Sequence, residues 1–150
     1  MYDVIIIGAG PGGIFAAYEL MKKKPDCKIA VFEEGYPLEK RKCPIDGEKV
    51  KSCINCKRCS IMCGFGGAGA FSDGKLSLSP DVGGTLPEIL GYEKATELIN
   101  EADNIYLKFG ADEKVYGIED TAAIENIRTK AIRANLKLIE CPIRHLGTEE

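Results

Sequence analysis

The pattern of apolar and polar positions predicts a β–α–β unit at the start of this 150-residue chain. Residues 2–7 are mostly β-branched and apolar on both faces, which is typical of a central parallel strand that is covered on both sides. Apolar residues then recur at helical spacing from Ile14 to Met21, and Pro25 ends that helix. Residues 28–32 resemble a second strand. We therefore expect one β–α–β unit over residues 1–35.

The rest of the chain divides into an irregular segment and a helical one. Residues 36–86 show no sustained periodicity, and a structureless loop of that length is uncommon in a compact domain, so a metal or a ligand is expected to organise it. Within residues 87–150, a helical stripe ends at Gly110 and a second helix extends from about Thr121 to Asn135. Residues 136–139 are predicted to form a strand. The fold class is therefore α/β, a Rossmann-like unit with a parallel sheet, a Cys/Gly-rich insertion and following helices.

Charge and hydropathy exclude several classes of partner. The 20 Lys and Arg residues against 23 Asp and Glu residues give a net charge of −3, which provides no basic field for nucleic acid or an anionic membrane. No apolar run approaches the length of a membrane span, and the start lacks the basic region of a signal peptide. We expect a cytoplasmic protein with no nucleic-acid or membrane partner.

A glycine fingerprint connects the first strand to the first helix. Gly8, Gly10 and Gly13 form the G-x-G-x-x-G pattern in the strand–turn–helix context that gives this motif its meaning. The turn, with Pro11 and Gly12 between these glycines, would bring the backbone close to a pyrophosphate at the helix amino terminus. At the end of the second strand, 20 residues after Gly13, Glu33 is a candidate to bind ribose hydroxyls, and Glu34 is a further cofactor-binding candidate. A carboxylate there repels a 2′-phosphate, which disfavours NADP.

Further candidate cofactor residues lie in a second glycine-rich stretch, residues 64–75. Small residues in series let the backbone lie flat against a ligand, and Phe65 and Phe71 argue against a mobile linker. The candidates in this stretch are Gly66, Gly67, Ala68, Ser72, Asp73, Gly74 and Lys75. Arg41 is a further candidate, because Lys40 and Arg41 could reach a pyrophosphate, although two basic residues after a turn usually form a solvated face.

Five of the seven cysteines fall within residues 43–63, which indicates metal or redox chemistry rather than a disulfide framework. Cys53, Cys56, Cys59 and Cys63 have the spacing of bacterial ferredoxin loops, with glycine in place of the usual following proline. An iron–sulfur cluster would take the first three, with either Cys43 or Cys63 as its fourth ligand. A zinc site and unmetallated thiols are the alternatives.

Taken together, these motifs resemble the amino-terminal part of the uncharacterised FAD-dependent dehydrogenases, within the flavoprotein superfamily that shares the glutathione-reductase type FAD domain. The resemblance rests on residues 2–13, on Glu33, on the stretch from Cys53 through residues 64–75, and on residues 142–148. It implies that Gly8, Gly10 and Gly13 hold the FAD pyrophosphate, that Glu33 holds the adenosine ribose, and that the 64–75 stretch runs beside the flavin.

The chain also departs from that family in length. Its members have several hundred residues, and their FAD domain ends with a late strand and a Gly-Asp pair that binds the ribityl chain. No such segment is present, so we expect the chain to be an amino-terminal portion of the domain, which by itself could be inactive.

Two functional hypotheses follow. The first is an FAD-dependent oxidoreductase that transfers electrons or hydride to or from an unknown small molecule or electron-transfer partner. A cysteine-ligated cluster would be an additional feature of it. The second is a non-catalytic nucleotide-binding module stabilised by a zinc–cysteine site. No residue can be assigned a catalytic role from the sequence.

Overall fold

The computed structural model describes residues 1–71 and 74–146, which fall into two compact units. The division lies between residues 72 and 73, inside the predicted Cys/Gly-rich segment 36–86. We refer to residues 1–72 as unit 1 and to residues 73–150 as unit 2, and describe each by itself.

Unit 1 begins with the predicted β–α–β unit, and its sheet is parallel. Strand β1 (Val4–Ile7) pairs with β2 (Ile29–Phe32), with Val4 opposite Ile29 and Ile7 opposite Phe32. Helix α1 (Pro11–Lys23) lies between them in the chain and ends one residue before the cap at Lys24, as the following proline predicts. The mixed α/β start is therefore confirmed, and it is consistent with a Rossmann-like fold.

The two faces of β1 differ in exposure, whereas the sequence predicts cover on both. Ile5 and Ile7 are 60% and 81% exposed, while Val4 and Ile6 are half-buried. The face that carries Ile6 is covered at the amino-terminal turn of α1. Among the described residues this sheet has two strands, so the predicted cover of the second face is not found within them.

Unit 2 combines helices with a small antiparallel sheet. Its helices are α2 (Leu86–Leu90), α3 (Tyr92–Lys108) and α4 (Thr121–Arg133). Strand β5 (Ile143–His145) lies between β3 (Lys75–Ser77) and β4 (Val115–Tyr116). The two predicted helices are confirmed as α3 and α4. Asp120 caps α4, because its carboxylate accepts a hydrogen bond from the Ala123 N–H at 2.8 Å.

The strand predicted over residues 136–139 is wrong. Helix α4 ends at Arg133 and is followed by a left-handed Asn135 (φ 56°), and the Leu136 N–H donates back to the Ala131 carbonyl, which is a helix-ending motif. Residues 136–139 form no strand, and the sheets among the described residues are β1–β2 and β3–β5–β4. Strand-like composition was present, but pairing decides where a strand forms.

No helix among residues 1–71 and 74–146 combines the length and the apolarity that crossing a membrane requires.

Candidate functional site

The glycine fingerprint forms a tight turn from β1 into α1. Gly8 has a φ of +98°, in the left-handed region that favours glycine. A Cβ atom on Gly13 would lie 1.9 Å from the Gly8 carbonyl oxygen and 3.3 Å from Cγ2 of Ile6. Helix and strand therefore meet so closely at Gly13 that no side chain fits there, which is the packing that the fingerprint requires.

The amino-terminal turn of α1 is open to a ligand. Gly10 is the N-cap residue, Pro11 is the first helical residue, and no side chain caps the helix. A Cβ atom on Gly12 would meet nothing within 4 Å, so the backbone is accessible there. The first N–H groups of a helix have no partner within it and carry a positive partial charge. This turn is thus suited to an anionic group such as a pyrophosphate.

The Glu33 carboxylate lies against the same turn. Its Oε2 accepts the Ala9 N–H at 2.8 Å, and its Oε1 accepts the Gly35 N–H at 2.8 Å. The hydrogen bond from Ala9, followed by that from Gly35, lowers the pKa of Glu33 below its usual value, and Gly64 and Arg41 contribute further. The side chain is therefore held as a carboxylate at neutral pH.

The lowered pKa of Glu33 predicts a loss of stability in acid. A carboxyl group whose pKa is lower in the folded state stabilises the fold above its unfolded pKa, and that contribution is lost as the pH falls through the folded pKa. The free energy of unfolding is therefore expected to decrease below about pH 4.5. Urea unfolding between about pH 6 and about pH 3 tests this. The decrease should be shallower in Glu33→Gln and unchanged in Glu39→Gln, which alters an exposed carboxylate, and equal slopes in all three proteins would contradict the assignment.

Part of the second glycine-rich stretch contacts the fingerprint turn within unit 1. The Gly66 N–H donates to the Ala9 carbonyl at 2.9 Å. A Cβ atom on Gly67 would lie 3.1 Å from the Gly10 Cα, so two glycine backbones approach each other closely here. Ala68, the next candidate, begins an exposed 3-10 turn, Ala68–Phe71.

The remaining candidates of this stretch are not in unit 1 or are not described. Gly74 and Lys75 belong to unit 2, where Lys75 is the first residue of β3 and pairs in register with His145. The predicted candidates Ser72 and Asp73 lie outside the described residues.

Arg41 has a different position from the one that its sequence suggests. Its side chain is buried, and the residue is 3% exposed. The guanidinium donates to four backbone carbonyls, those of Ser60 (2.8 Å), Ile61 (2.7 Å), Phe65 (2.6 Å) and Gly67 (2.8 Å). Its donors therefore serve backbone carbonyls inside unit 1, a structural role that the sequence did not suggest, while the contact with a pyrophosphate stays a prediction. The signal that the sequence offered was only a pair of basic residues, Lys40 and Arg41, after a turn.

Glu34, the other acidic candidate, is engaged at the surface. Its Oε1 lies 3.3 Å from Nε of Arg58, and its backbone carbonyl accepts a hydrogen bond from the same guanidinium at 2.9 Å. Both side chains are more than half exposed, so this ion pair adds little stability. Glu33 and Glu34 thus have different partners, because of the two only Glu33 contacts the fingerprint turn.

Four of the five candidate metal ligands surround one cavity in unit 1. The cavity has a volume of about 230 Å³, and Cys43, Cys53, Cys56 and Cys59 are among its lining residues. Cys63 is not. Among the described residues, no three Cys, His, Asp or Glu side chains are grouped closely enough to hold a single metal ion. All seven cysteines are free thiols.

Comparison with known proteins finds similarity concentrated at the amino terminus. The model of the Thi4 family matches residues 1–37. An uncharacterized protein of Clostridium beijerinckii is 38% identical over 73 residues, which are 49% of this chain and 13% of that protein. No solved structure matches.

Other similar proteins carry a functional name. Thiamine thiazole synthases of Yarrowia lipolytica and Phaeosphaeria nodorum are each 61% identical over 33 residues, which are 22% of this chain and 10% of each relative. The matches therefore span about a tenth of the length of these curated relatives. Residues 1–37 of this chain are thus similar to the Thi4 family, over the β1–α1–β2 unit that carries the glycine turn and Glu33.

Proposed function

We propose that this chain contains the FAD-binding part of a flavin-dependent oxidoreductase, and that unit 1 holds the dinucleotide. The observation that carries the proposal is the uncapped first turn of α1, which lies beside the Glu33 carboxylate and is preceded by the left-handed Gly8. The same arrangement of turn, helix amino terminus and acid binds dinucleotides in Rossmann-like folds.

The residues present fit the pyrophosphate and the ribose of an adenosine diphosphate group. The exposed backbone at Gly12 offers N–H groups to the pyrophosphate. The Glu33 carboxylate accepts the N–H groups of Ala9 and Gly35, with Gly64 contributing further, and an ionised carboxylate has about four acceptor positions, so capacity remains for a ribose hydroxyl. The negative charge of Glu33 opposes a 2′-phosphate. Gly66 and Gly67, which contact the turn, would border the bound dinucleotide.

The reaction class that we propose is electron or hydride transfer between the flavin and a small-molecule substrate or a redox partner. A bound flavin supplies this chemistry, while the protein binds and orients the flavin and tunes its potential. The chain's own contribution is to hold the pyrophosphate at α1, to accept the ribose hydroxyls at Glu33 and to keep that carboxyl ionised through the N–H groups of Ala9 and Gly35.

A thiazole-forming synthase is the second candidate, since several similar proteins bear the name thiamine thiazole synthase. That similarity covers the segment that would bind the dinucleotide, so it supports nucleotide binding in both candidates. Our preference for the oxidoreductase comes from the glycine-rich stretch and the cysteines beyond residue 37, which lie outside the match to the Thi4 family model. A non-catalytic nucleotide-binding module with zinc is the third candidate.

Titration of the protein, in its natural length, with FAD, NAD and NADP separates these candidates. We expect FAD to bind, with two resolved yellow absorption bands that remain with the protein through gel filtration. Glu33→Gln should weaken FAD binding about 10- to 100-fold, because a hydrogen bond to a charged group contributes roughly 1.5–3 kcal/mol.

Glu39→Gln is the matched control for this titration, since it removes an exposed carboxylate from the 3-10 turn that follows β2. It should leave the FAD affinity unchanged. Retention of NAD in place of FAD, or equal losses of affinity in the two variants, would argue against the proposal.

A further inference from the structure

The cysteine cavity in unit 1 has a lining that suits an inorganic cluster. Besides Cys43, Cys53, Cys56 and Cys59, its lining includes three isoleucines, at positions 45, 54 and 61. Sulfur ligands around a mostly apolar space are characteristic of iron–sulfur and zinc sites rather than of sites for hard cations. The volume of about 230 Å³ gives room for a group larger than one ion between the thiols.

Zinc and an iron–sulfur cluster place different demands on four thiols. A structural zinc ion needs four ligands at about 2.3 Å for sulfur, which brings the thiolates close to one point. No three potential ligands among residues 1–71 and 74–146 meet at such a point. A cluster has several iron atoms, each bound by its own cysteine, so its thiolates stand apart around a shared core. Four cysteines that line a cavity of about 230 Å³ leave room for such a core.

The backbone near Cys53 also favours a cysteine-bound iron–sulfur cluster, because it places an N–H donor against the sulfur. Asn55 adopts a left-handed conformation (φ 52°) between Cys53 and Cys56. Its N–H points to the Cys53 Sγ at 3.4 Å. Backbone N–H groups that donate to cysteine sulfur stabilise the deprotonated ligand and influence the reduction potential of iron–sulfur clusters.

The loop that carries these cysteines is held in place on both sides. Between Cys43 and Cys53, the Asp46 Oδ1 accepts the N–H groups of Glu48, Lys49 and Val50 at 2.8–3.0 Å. These hydrogen bonds, that of Val50 first, lower the pKa of Asp46, so the carboxylate that accepts them is ionised at neutral pH. On the other side, the buried Arg41 fixes the carbonyls of Ser60 and Ile61, which follow Cys59 and line the cavity.

Cys63 lies outside this group. Its N–H donates to the Cys59 carbonyl at 2.8 Å, which places it one turn further along the chain. Cys43 borders the cavity instead, although ten residues separate it from Cys53. The sequence left the choice of the fourth ligand open between these two cysteines.

We propose that Cys43, Cys53, Cys56 and Cys59 bind a four-iron, four-sulfide cluster in unit 1. This proposal goes beyond the FAD site, because it uses none of the residues that would bind the dinucleotide and can succeed or fail independently. The three cysteines at x₂ spacing bind three irons and Cys43 binds the fourth. Cys63 is not a ligand.

The first test is metal analysis of the unaltered protein in its natural length. The protein is reconstituted with ferrous iron and sulfide and then purified without oxygen. We expect about four iron and four acid-labile sulfide per chain, with a broad brown absorption that dithionite bleaches. One zinc per chain, with no iron taken up on reconstitution, would overturn the proposal, as would the absence of any bound metal. The FAD titration reads a separate quantity, so the failure of one proposal does not imply the failure of the other.

Serine variants of the individual cysteines test the ligand set. Cys43→Ser, Cys53→Ser, Cys56→Ser and Cys59→Ser should each lose more than about half of the bound iron, because each removes one thiolate of four. Cys63→Ser is the matched control from the same loop and should retain the iron content and the reduced electron paramagnetic resonance signal. Loss of iron in Cys63→Ser with retention in Cys43→Ser would overturn the assignment. Far-ultraviolet circular dichroism of each variant distinguishes loss of a ligand from loss of the fold.

Discussion

Replacing Gly13 with alanine is expected to destabilise unit 1 by about 4 kcal/mol or more, among the largest effects of a single substitution. The added Cβ atom would lie 1.9 Å from the Gly8 carbonyl oxygen, which is a backbone atom in a tight turn. Relief of that overlap requires β1 and the start of α1 to move apart, which would also displace the N–H groups offered to a pyrophosphate. Urea unfolding, monitored by circular dichroism, measures the loss.

Gly12→Ala is the matched control for this prediction, since it adds the same methyl group one residue earlier. The added Cβ atom on Gly12 would meet nothing within 4 Å, and alanine favours a helix over glycine by about 1 kcal/mol. We therefore expect Gly12→Ala to be as stable as the unaltered protein or more stable. Equal destabilisation by the two substitutions would show that helix–strand packing at Gly13 is not the cause.

Replacing Asp103 with alanine is expected to destabilise unit 2 by about 3–5 kcal/mol, because it leaves a buried cation without its partner. Arg144 on β5 is 5% exposed, and its Nε and Nη2 donate to the two carboxylate oxygens of Asp103 on α3, the latter at 2.8 Å. Its Nη1 donates to the Asp112 carbonyl at 2.8 Å. The hydrogen bond to Asp103 is also the main reason why the pKa of Arg144 is raised.

Two further variants identify the cause of this loss. Glu101→Ala removes an exposed carboxylate from the same helix and should change the free energy of unfolding by less than about 0.5 kcal/mol. The double variant Asp103→Leu with Arg144→Met should recover much of the stability, because apolar replacement of both members of a buried ion pair is often nearly neutral. A double variant as unstable as Asp103→Ala would indicate that packing, and not the unpaired charge, dominates.

Arg41 links the two candidate sites of unit 1. Its guanidinium binds the carbonyls of Ser60 and Ile61 at the cysteine cavity and those of Phe65 and Gly67 beside the fingerprint turn. The cation also lies over the Phe71 ring, with its Cζ 4.7 Å from the centroid. One buried side chain thus fixes both the glycine-rich and the cysteine-rich backbone of unit 1.

Sequence patterns alone were sufficient for the elements whose determinants are local. The apolar run of β1, the helical spacing of α1, the stop before Pro25 and the stripes of α3 and α4 all act over a few residues, and each of these elements is present. The fingerprint likewise places its turn between a strand and a helix. Periodicity and caps determine such features because the backbone satisfies its hydrogen bonds within the element or with an adjacent one.

The tertiary structure decided the features that depend on distant partners. Arg41 reaches carbonyls 19–26 residues away, and Arg144 reaches a carboxylate 41 residues away, so their burial has no local signature. The choice of Cys43 over Cys63 at the cavity and the pairing of β5 in place of residues 136–139 depend on long-range approach in the same way. The physical reason is that a buried charge or a strand is stable only where another part of the chain supplies its hydrogen-bond partners, and only the folded chain determines which part that is.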